Sequence, residues 1–154
     1  MLRALKIVLT IVLVMLAIAF IGLQFLRPER INPPVVAANV LVAPRNIEPI
    51  LRRSCYDCHS NETRWPWYSN IVPFSWRVVQ DVREGREELS FSEWNTYDKW
   101  DRARLLEKIC EQVEKGKMPL KPYVVMHPSA DLTMEDRRAL CVWARLARER
   151  SGVR

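Results

Sequence analysis

Residues 55–59 read Cys-Tyr-Asp-Cys-His, "CYDCH", in a chain of 154 residues with four cysteines and two histidines. Two thiols and an imidazole this close together can bind a metal ion, form a dithiol switch or attach a prosthetic group. The compartment helps to separate these chemistries, because protein thiols stay reduced in the cytoplasm and become oxidised outside it. The N-terminus of the chain therefore bears directly on what the cluster does.

The N-terminal run "IVLTIVLVMLAIAFIGLQFL", residues 7–26, contains no charged residue. About twenty apolar residues at 1.5 Å each match a hydrocarbon core of roughly 30 Å. Arg3 and Lys6 precede the run and favour a cytoplasmic N-terminus, although Arg27 and Arg30 after it weaken this charge argument. We predict a single-pass anchor over residues 1–26 in the bacterial cytoplasmic membrane, with a cleaved signal peptide as the alternative. Both interpretations place the remaining chain on the periplasmic side.

Composition and prolines divide the rest of the chain into a linker and one small domain. Residues 27–45 contain four prolines and predict an extended, stiff stalk. Residues 46–150 are long enough for one core. The chain has 24 Lys and Arg against 18 Asp and Glu. These charges are interspersed and form no basic block, which argues against nucleic acid as a partner.

Helical spacing dominates the predicted domain, and no strand pattern of any length occurs. Asn46 is a suitable N-cap for a first helix. Ile47, Leu51, Cys55 and Cys58 then share one helical face, so we expect both thiols to point with the apolar residues. The fold class is therefore predicted to be all-α: a small, cytochrome c-like helical domain with long loops, preceded by one transmembrane helix.

Further helices and loops follow from caps, periodicity and prolines. A helix is predicted from about residue 73 to 89, and another ends at Gly116 with Trp100 on its inward face. Residues 117–130, "KMPLKPYVVMHPSA", should be extended because several of them precede prolines. The last helix should begin with Thr133 as its N-cap, and Asp136 three positions later predicts a capping box. Five aromatic rings between residues 61 and 76 indicate a loop that wraps something flat and apolar, or one that plugs the core.

Zinc and a redox-active dithiol both fit "CYDCH" poorly. A structural zinc site requires four ligands, usually as two spaced pairs, and no second pair follows residues 55–59. Cys110 and Cys141 are single and far apart in the sequence. A thioredoxin-like dithiol belongs at the start of a helix after a strand, whereas this motif ends a predicted helix in an all-α chain. Two buried cysteines with a loop histidine are the remaining non-functional interpretation.

Covalent attachment of one haem c is the chemistry that the CxxCH spacing signals directly. Thiols at positions i and i+3 can reach the two vinyl groups on one edge of a porphyrin. Cys55 and Cys58 are therefore the predicted attachment sites. The imidazole at i+4 can then approach the iron, which makes His59 the predicted proximal ligand.

Several residues are candidates for the second axial ligand of the iron. Met118 follows a helix stop, precedes a proline and lies far enough from His59 to cross over the haem edge. A thioether ligand favours electron transfer and raises the reduction potential. Met118 is therefore the preferred distal ligand, and an open or water-bound iron remains an alternative. The other candidates are His127, Met126, Met15 and Met134.

Several separated motifs resemble the bacterial haem-binding domain family. They are "CYDCHSNETRWPWYSNIVPFSW", "FSEW", "GKMPLKPYVVMHPSADLT" and "ALCVWA", and together they cover about residues 47–147. The family comprises small c-type cytochrome-like domains, often behind one N-terminal anchor. The resemblance implies covalent haem c at Cys55 and Cys58, with His59 as proximal ligand. The methionine of the family's "MP" element corresponds to Met118, which the resemblance implies as the distal ligand.

Two cysteines remain outside the motif. Cys110 and Cys141 lie on the two predicted helices that flank the "MP" element. An oxidising compartment permits a disulfide between them, which would brace Met118, but two separate buried thiols are equally consistent with the sequence.

The sequence thus predicts a membrane-anchored monohaem cytochrome c that carries single electrons to or from an unidentified partner protein. A haem-based sensor with a displaceable sixth ligand is the alternative. A peroxidase-like enzyme fits less well, because it needs a distal acid or base and the only spare histidine is His127. We therefore expect no enzymatic activity.

Overall fold

The computed structural model describes residues 1–153, and these are all-α, as predicted. They contain no strand, and short 3-10 turns and loops connect the helices. One helix in the described chain, with its following turn, is long and apolar enough to cross a membrane, and none of it is buried. The seven helices are α1 (Leu2–Leu23), α2 (Glu48–Ser54), α3 (Tyr56–His59), α4 (Phe74–Glu88), α5 (Lys99–Glu114), α6 (Lys121–Met126) and α7 (Met134–Arg150).

The described residues divide into two compact units. The first unit comprises Met1–Ile31 and Trp65–Asp81. The second comprises Asn32–Arg64 and the chain from Val82 onward. The aromatic loop therefore belongs to the unit that contains α1, and the CYDCH motif belongs to the other.

The core of the second unit forms where α5 and α7 pack along each other beside α2. An ionic contact lies beside this packing: the Arg145 guanidinium of α7 donates to the Glu114 carboxylate of α5 at 2.9 Å. A disulfide between Cys110 and Cys141 joins the two helices directly. Fully or almost fully buried apolar side chains fill the space between the elements: Ile47, Leu51, Phe91, Leu106, Leu140 and Ala144.

Strong local signals account for both ends of α5 and for the start of α7. The Asp98 side chain accepts from two backbone N–H groups at the first turn of α5. Gly116, as predicted, follows the end of α5, and its φ of 62° is one that residues with a Cβ adopt at a cost. Thr133 caps α7 in a reciprocal capping box with Asp136, as the sequence also predicts.

The predicted stalk is not free-standing. Its backbone is held along the second unit, because Leu41 N–H donates to the Phe91 carbonyl at 2.8 Å and the Asn95 side chain donates to the Ala38 carbonyl at 2.8 Å. Asn32 donates to the Thr63 carbonyl at 2.9 Å. Proline content predicted an extended chain but could not show that the chain would find hydrogen-bond partners on the domain.

Other local predictions are wrong for identifiable reasons. Ile47, not Asn46, occupies the N-cap of α2. Trp100 is 57% exposed and does not face the core, since it lies in the first turn of α5, at the beginning of that helix. Residues 121–126 form α6 and are not extended. Proline is compatible with the first helical turn, where its missing N–H is not required.

Candidate functional site

A cavity of about 310 Å³ in the second unit brings together residues from four parts of the chain: 54–59, 88–91, 105–113 and 118–119. Cys55 and His59 come from the CYDCH motif, and Met118 comes from the loop after α5. The volume lies at the lower end of the roughly 300–1,000 Å³ range of ligand sites. Its walls are mostly apolar and include Leu89, Phe91, Leu105, Ile109, Val113 and Pro119.

The His59 imidazole is fixed by the backbone of α4 and of Leu89, the residue directly after that helix. Its Nδ1 lies 2.8 Å from the Gly85 carbonyl oxygen and 3.0 Å from that of Leu89. Carbonyl oxygens only accept hydrogen bonds, so Nδ1 carries the proton and donates to them. The opposite nitrogen, Nε2, is thereby left as the neutral, lone-pair nitrogen. An imidazole held through one nitrogen by a carbonyl is the usual arrangement of a metal-ligating histidine.

Burial keeps both the His59 imidazole and the Cys55 thiol in their neutral forms, and a neutral imidazole is the form that can bind a metal. Burial lowers the pKa of the His59 imidazole, and the hydrogen bonds to Leu89 and Gly85 offset this effect only in part. The ring is therefore neutral near pH 7 and can donate its lone pair. Burial, with the neighbouring Cys58, raises the pKa of the Cys55 thiol to about 12. The Cys55 side chain is therefore a protonated, neutral thiol near pH 7 and not a thiolate.

The CYDCH segment is not one continuous helix. Cys55 has φ −129° and ψ −38°, which ends α2, and α3 begins at Tyr56. The predicted continuous helix through both cysteines is therefore wrong. Tyr56 stacks on Phe91 with ring centroids 5.2 Å apart, and the Phe91 ring also meets the edge of His59. These contacts join residues that are far apart in the sequence, and they coincide with the helix break at Cys55, which helical periodicity alone does not predict.

Gly85 allows α4 to lie directly against the motif. A Cβ at this position would be 2.7 Å from the Cys58 carbonyl oxygen and 3.1 Å from the Cys58 Cβ. Only glycine fits without a shift of the backbone. The same residue supplies a carbonyl that accepts from His59, so the close approach also brings that acceptor to the imidazole.

Met118 is positioned by the end of α5. The N–H groups of Lys117 and Met118 both donate to the Gln112 carbonyl, at 2.9 and 3.2 Å, just after the left-handed turn at Gly116. The Met118 side chain is half-buried and lines the same cavity as His59. A thioether and an imidazole therefore share one apolar cavity.

Asp57, inside the motif, links it to the segment that follows Met118. Its Oδ2 accepts from the Tyr123 hydroxyl at 2.7 Å. Its Oδ1 accepts from the backbone and side chain of Arg64 at 3.1 and 3.3 Å. Burial and the hydrogen bond to Asp57 raise the pKa of Tyr123 above its usual range, so the phenol remains a proton donor.

Arg86 fixes the chain immediately after the motif. Its guanidinium donates to the Ser60 carbonyl at 2.7 Å, to the Thr63 hydroxyl at 2.7 Å and to Asn32 at 2.9 Å. Arg86 and Gly85 are consecutive, so one turn of α4 holds both the imidazole and the following loop.

The model of the haem-binding domain family matches residues 18–146, well over half of the chain. The chain belongs to the haem-binding domain family. Searches of curated proteins and of solved structures found no significant match. Haem is accordingly the group that the cavity should accommodate. The family match begins within α1 and therefore includes part of the apolar helix as well as the second unit.

The cavity residues fit a haem by their chemistry. An imidazole with an open Nε2 and a thioether are both established axial ligands of haem iron. The surrounding apolar side chains suit the porphyrin face. At the cavity edge, the exposed Glu88 and Lys108 pair at 3.2 Å and keep charge at the surface.

The predicted site residues are distributed unequally around this cavity. Cys55, His59 and Met118 line it, whereas Cys58 is not among the described lining residues and packs against Gly85. Cys110 and Cys141 form the disulfide between α5 and α7. His127 stacks on Tyr123 at 4.3 Å.

Sequence reasoning missed Gly85, Asp57 and Arg86 as positioning residues. One signal was available for Gly85: the chain has only four glycines, and one in the middle of a predicted helix costs about 1 kcal/mol relative to alanine. Asp57 and Arg86 carried no comparable signal, because their roles depend on partners distant in the sequence.

Proposed function

We propose that this protein is a membrane-anchored, monohaem c-type cytochrome that carries single electrons. Cys55 and Cys58 are the attachment sites, His59 is the proximal ligand and Met118 is the distal ligand. The observation that carries the proposal is the shared cavity in which the oriented His59 imidazole and the Met118 thioether both lie. The CxxCH spacing supports covalent attachment, because a site that binds haem non-covalently does not need the two thiols.

Each part of the site has a distinct task in this proposal. Gly85 and Leu89 hold the proton on His59 Nδ1 and so present Nε2 to the iron. The turn at Gly116 and the Gln112 carbonyl hold the Met118 backbone. The iron of the bound haem would supply the one-electron couple. Ligands held in place on both sides favour electron transfer, since little rearrangement accompanies a change of oxidation state.

We also propose that the second unit lies on the periplasmic side of the cytoplasmic membrane. The apolar α1 supports the anchor. The family match begins at residue 18 and so includes the end of this helix. The disulfide between Cys110 and Cys141 supports an oxidising compartment. The redox partner would be a protein that approaches the second unit from that side.

A spectrum of the purified full-length protein tests the electron-carrier function against the sensor alternative. We expect low-spin iron with a methionine-to-iron charge-transfer band, and slow CO binding by the reduced protein. Met118→Ala should abolish the band and allow rapid CO binding. Met126→Ala is the matched control, because Met126 is 47% exposed and lies outside the described cavity lining. High-spin iron in the unaltered protein would favour the sensor, and an unchanged Met118→Ala spectrum would remove Met118 as ligand.

A further inference from the structure

The first unit fixes the aromatic loop to the end of the apolar helix. Gln24, directly after α1, exchanges two hydrogen bonds with Val72: Val72 N–H donates to Gln24 Oε1 at 3.0 Å, and Gln24 Nε2 donates to the Val72 carbonyl at 3.4 Å. The Gln24 amide therefore pairs with the loop backbone much as a neighbouring strand would. This pairing ties a loop 48 residues later in the chain to one turn of the anchor.

Further hydrogen bonds surround this pairing. The Arg27 guanidinium donates to the Asn70 carbonyl at 3.0 Å, and the Trp76 indole N–H donates to the Leu26 carbonyl at 2.9 Å. Arg30 donates to the Ser69 hydroxyl at 3.2 Å. The loop is thus held at several points within the short segment where the apolar run ends.

The same loop exposes large aromatic side chains. Trp67 is 69% exposed, Phe74 is 59% exposed and Trp76 is 41% exposed. At the end of the helix, Phe25 is 85% exposed and Leu26 is 65% exposed. Single exposed apolar residues are common, but several bulky ones on one small unit indicate an interaction surface.

We infer that residues 67–76 form an interfacial foot, which lies in the outer headgroup region of the bilayer that α1 crosses. This inference rests on the proposed membrane anchor. The apolar run ends at Leu26, so the residues bonded to positions 24–27 lie at the boundary of the hydrocarbon core. Tryptophan concentrates at this depth, because its ring is apolar while its N–H requires a polar partner. The Trp76 indole meets that requirement through the Leu26 carbonyl.

The charges around the foot favour lipid as the occupant. Arg27 and Arg30 follow the apolar run and bond to the loop itself. Arginine side chains at this depth reach lipid phosphates, and anionic lipids strengthen the attraction. The foot would fix the rotation and depth of the anchor in the membrane, since its aromatic side chains cannot leave the interface without exposing apolar surface to water.

Lipid-specific fluorescence quenching tests the foot in the full-length protein. The protein is reconstituted into phosphatidylcholine–phosphatidylglycerol vesicles, with and without phospholipids brominated near the headgroup end of the acyl chain. The emission lost in Trp67→Phe isolates the contribution of Trp67. Trp100→Phe is the matched control, because Trp100 is similarly exposed but lies among the charged residues Asp98, Lys99 and Asp101.

We expect brominated lipid to quench the Trp67 emission clearly and the Trp100 emission little. Flotation of the same vesicles reports the anchor separately. Protein that floats while Trp67 remains unquenched would overturn the foot and leave the anchor intact. Protein that does not float would overturn both proposals. Unquenched Trp67 together with cross-linking between two copies through this loop would replace the foot by a dimer surface.

Discussion

The Tyr123 hydroxyl donates a 2.7 Å hydrogen bond to Oδ2 of Asp57. Asp57 lies between the two cysteines of the CYDCH motif, and Tyr123 lies in the short helix that follows Met118. Tyr123 lies only five positions after Met118 along the chain. This hydrogen bond therefore joins the segment with the proposed proximal ligand to the segment with the proposed distal ligand.

Tyr123→Phe should destabilise the protein and loosen Met118. Removal of the hydroxyl leaves one oxygen of the buried Asp57 without its partner, which costs about 1–3 kcal/mol. We expect a lower urea midpoint and a weaker methionine-to-iron band. Tyr56→Phe is the control in the same motif, since no hydrogen bond to the Tyr56 hydroxyl occurs among residues 1–153. Equal stability losses in the two variants would contradict the proposed role of Tyr123.

Gly85→Ala should disturb the site although alanine favours helices. The new Cβ would lie 2.7 Å from the Cys58 carbonyl oxygen, so the motif or α4 must shift. Overpacking of this kind costs roughly 1–3 kcal/mol, which outweighs a helix-propensity gain of about 1 kcal/mol. We expect less haem per chain and a lower thermal midpoint. Gly22→Ala, with no atom within 4 Å of the added Cβ, should change neither quantity. Normal haem content in Gly85→Ala would refute the steric argument.

Asp136 should make stability depend on acid pH. Burial raises the pKa of this carboxyl, but hydrogen bonds from Thr133 and the nearby Arg53 outweigh burial, so the folded-state pKa lies below its ordinary value. A depressed folded pKa stabilises the protein above the unfolded pKa of about 3.9, and this contribution disappears as pH falls through the folded value.

Urea unfolding of Asp136→Asn across a pH series measures this contribution. The variant should lose about 1 kcal/mol near neutral pH, and its difference from the unaltered protein should shrink below the unfolded pKa. Asp131→Asn is the control, because Asp131 is 65% exposed and pairs only weakly. Its Oδ1 lies 3.9 Å from the Arg137 guanidinium, which is long for an ion pair. A constant difference at every pH would show that ionisation of Asp136 is not the cause.

The disulfide between Cys110 and Cys141 should stabilise the second unit and mark its compartment. It closes a loop with a sequence separation of 31 residues, and loss of such a cross-link costs about 2–4 kcal/mol. Cys110→Ala combined with Cys141→Ala should therefore lower the urea midpoint. Intact mass after alkylation without reductant should show both thiols unmodified in the unaltered protein. Alkylation of both would contradict the disulfide and weaken the periplasmic assignment.

Local signals predicted the parts of the fold that local interactions determine. The apolar run predicted α1, the Thr133 capping box predicted the start of α7, and Gly116 marked the end of α5. His59 and Met118 were predicted as ligands because their chemistry and spacing are unusual in so short a chain. The structure adds that both line one cavity.

The remaining features depend on contacts between distant residues. The break at Cys55 coincides with the stacking of Tyr56 on Phe91, 35 residues later. The aromatic loop was predicted to wrap a flat apolar group or to plug the core. In the structure it bonds instead to Gln24 and to the residues that follow. Sequence periodicity contains no information on either partner.

Covalent attachment of haem through Cys55 and Cys58 is the central claim, and intact mass of the denatured protein tests it most directly. The full-length protein is produced in bacteria that express the c-type cytochrome maturation machinery, then extracted with acidified organic solvent. We predict that one haem stays on the chain, and that the combined Cys55→Ala and Cys58→Ala variant retains none. Complete release of haem from the unaltered chain, or covalent haem on the double variant, would contradict the account.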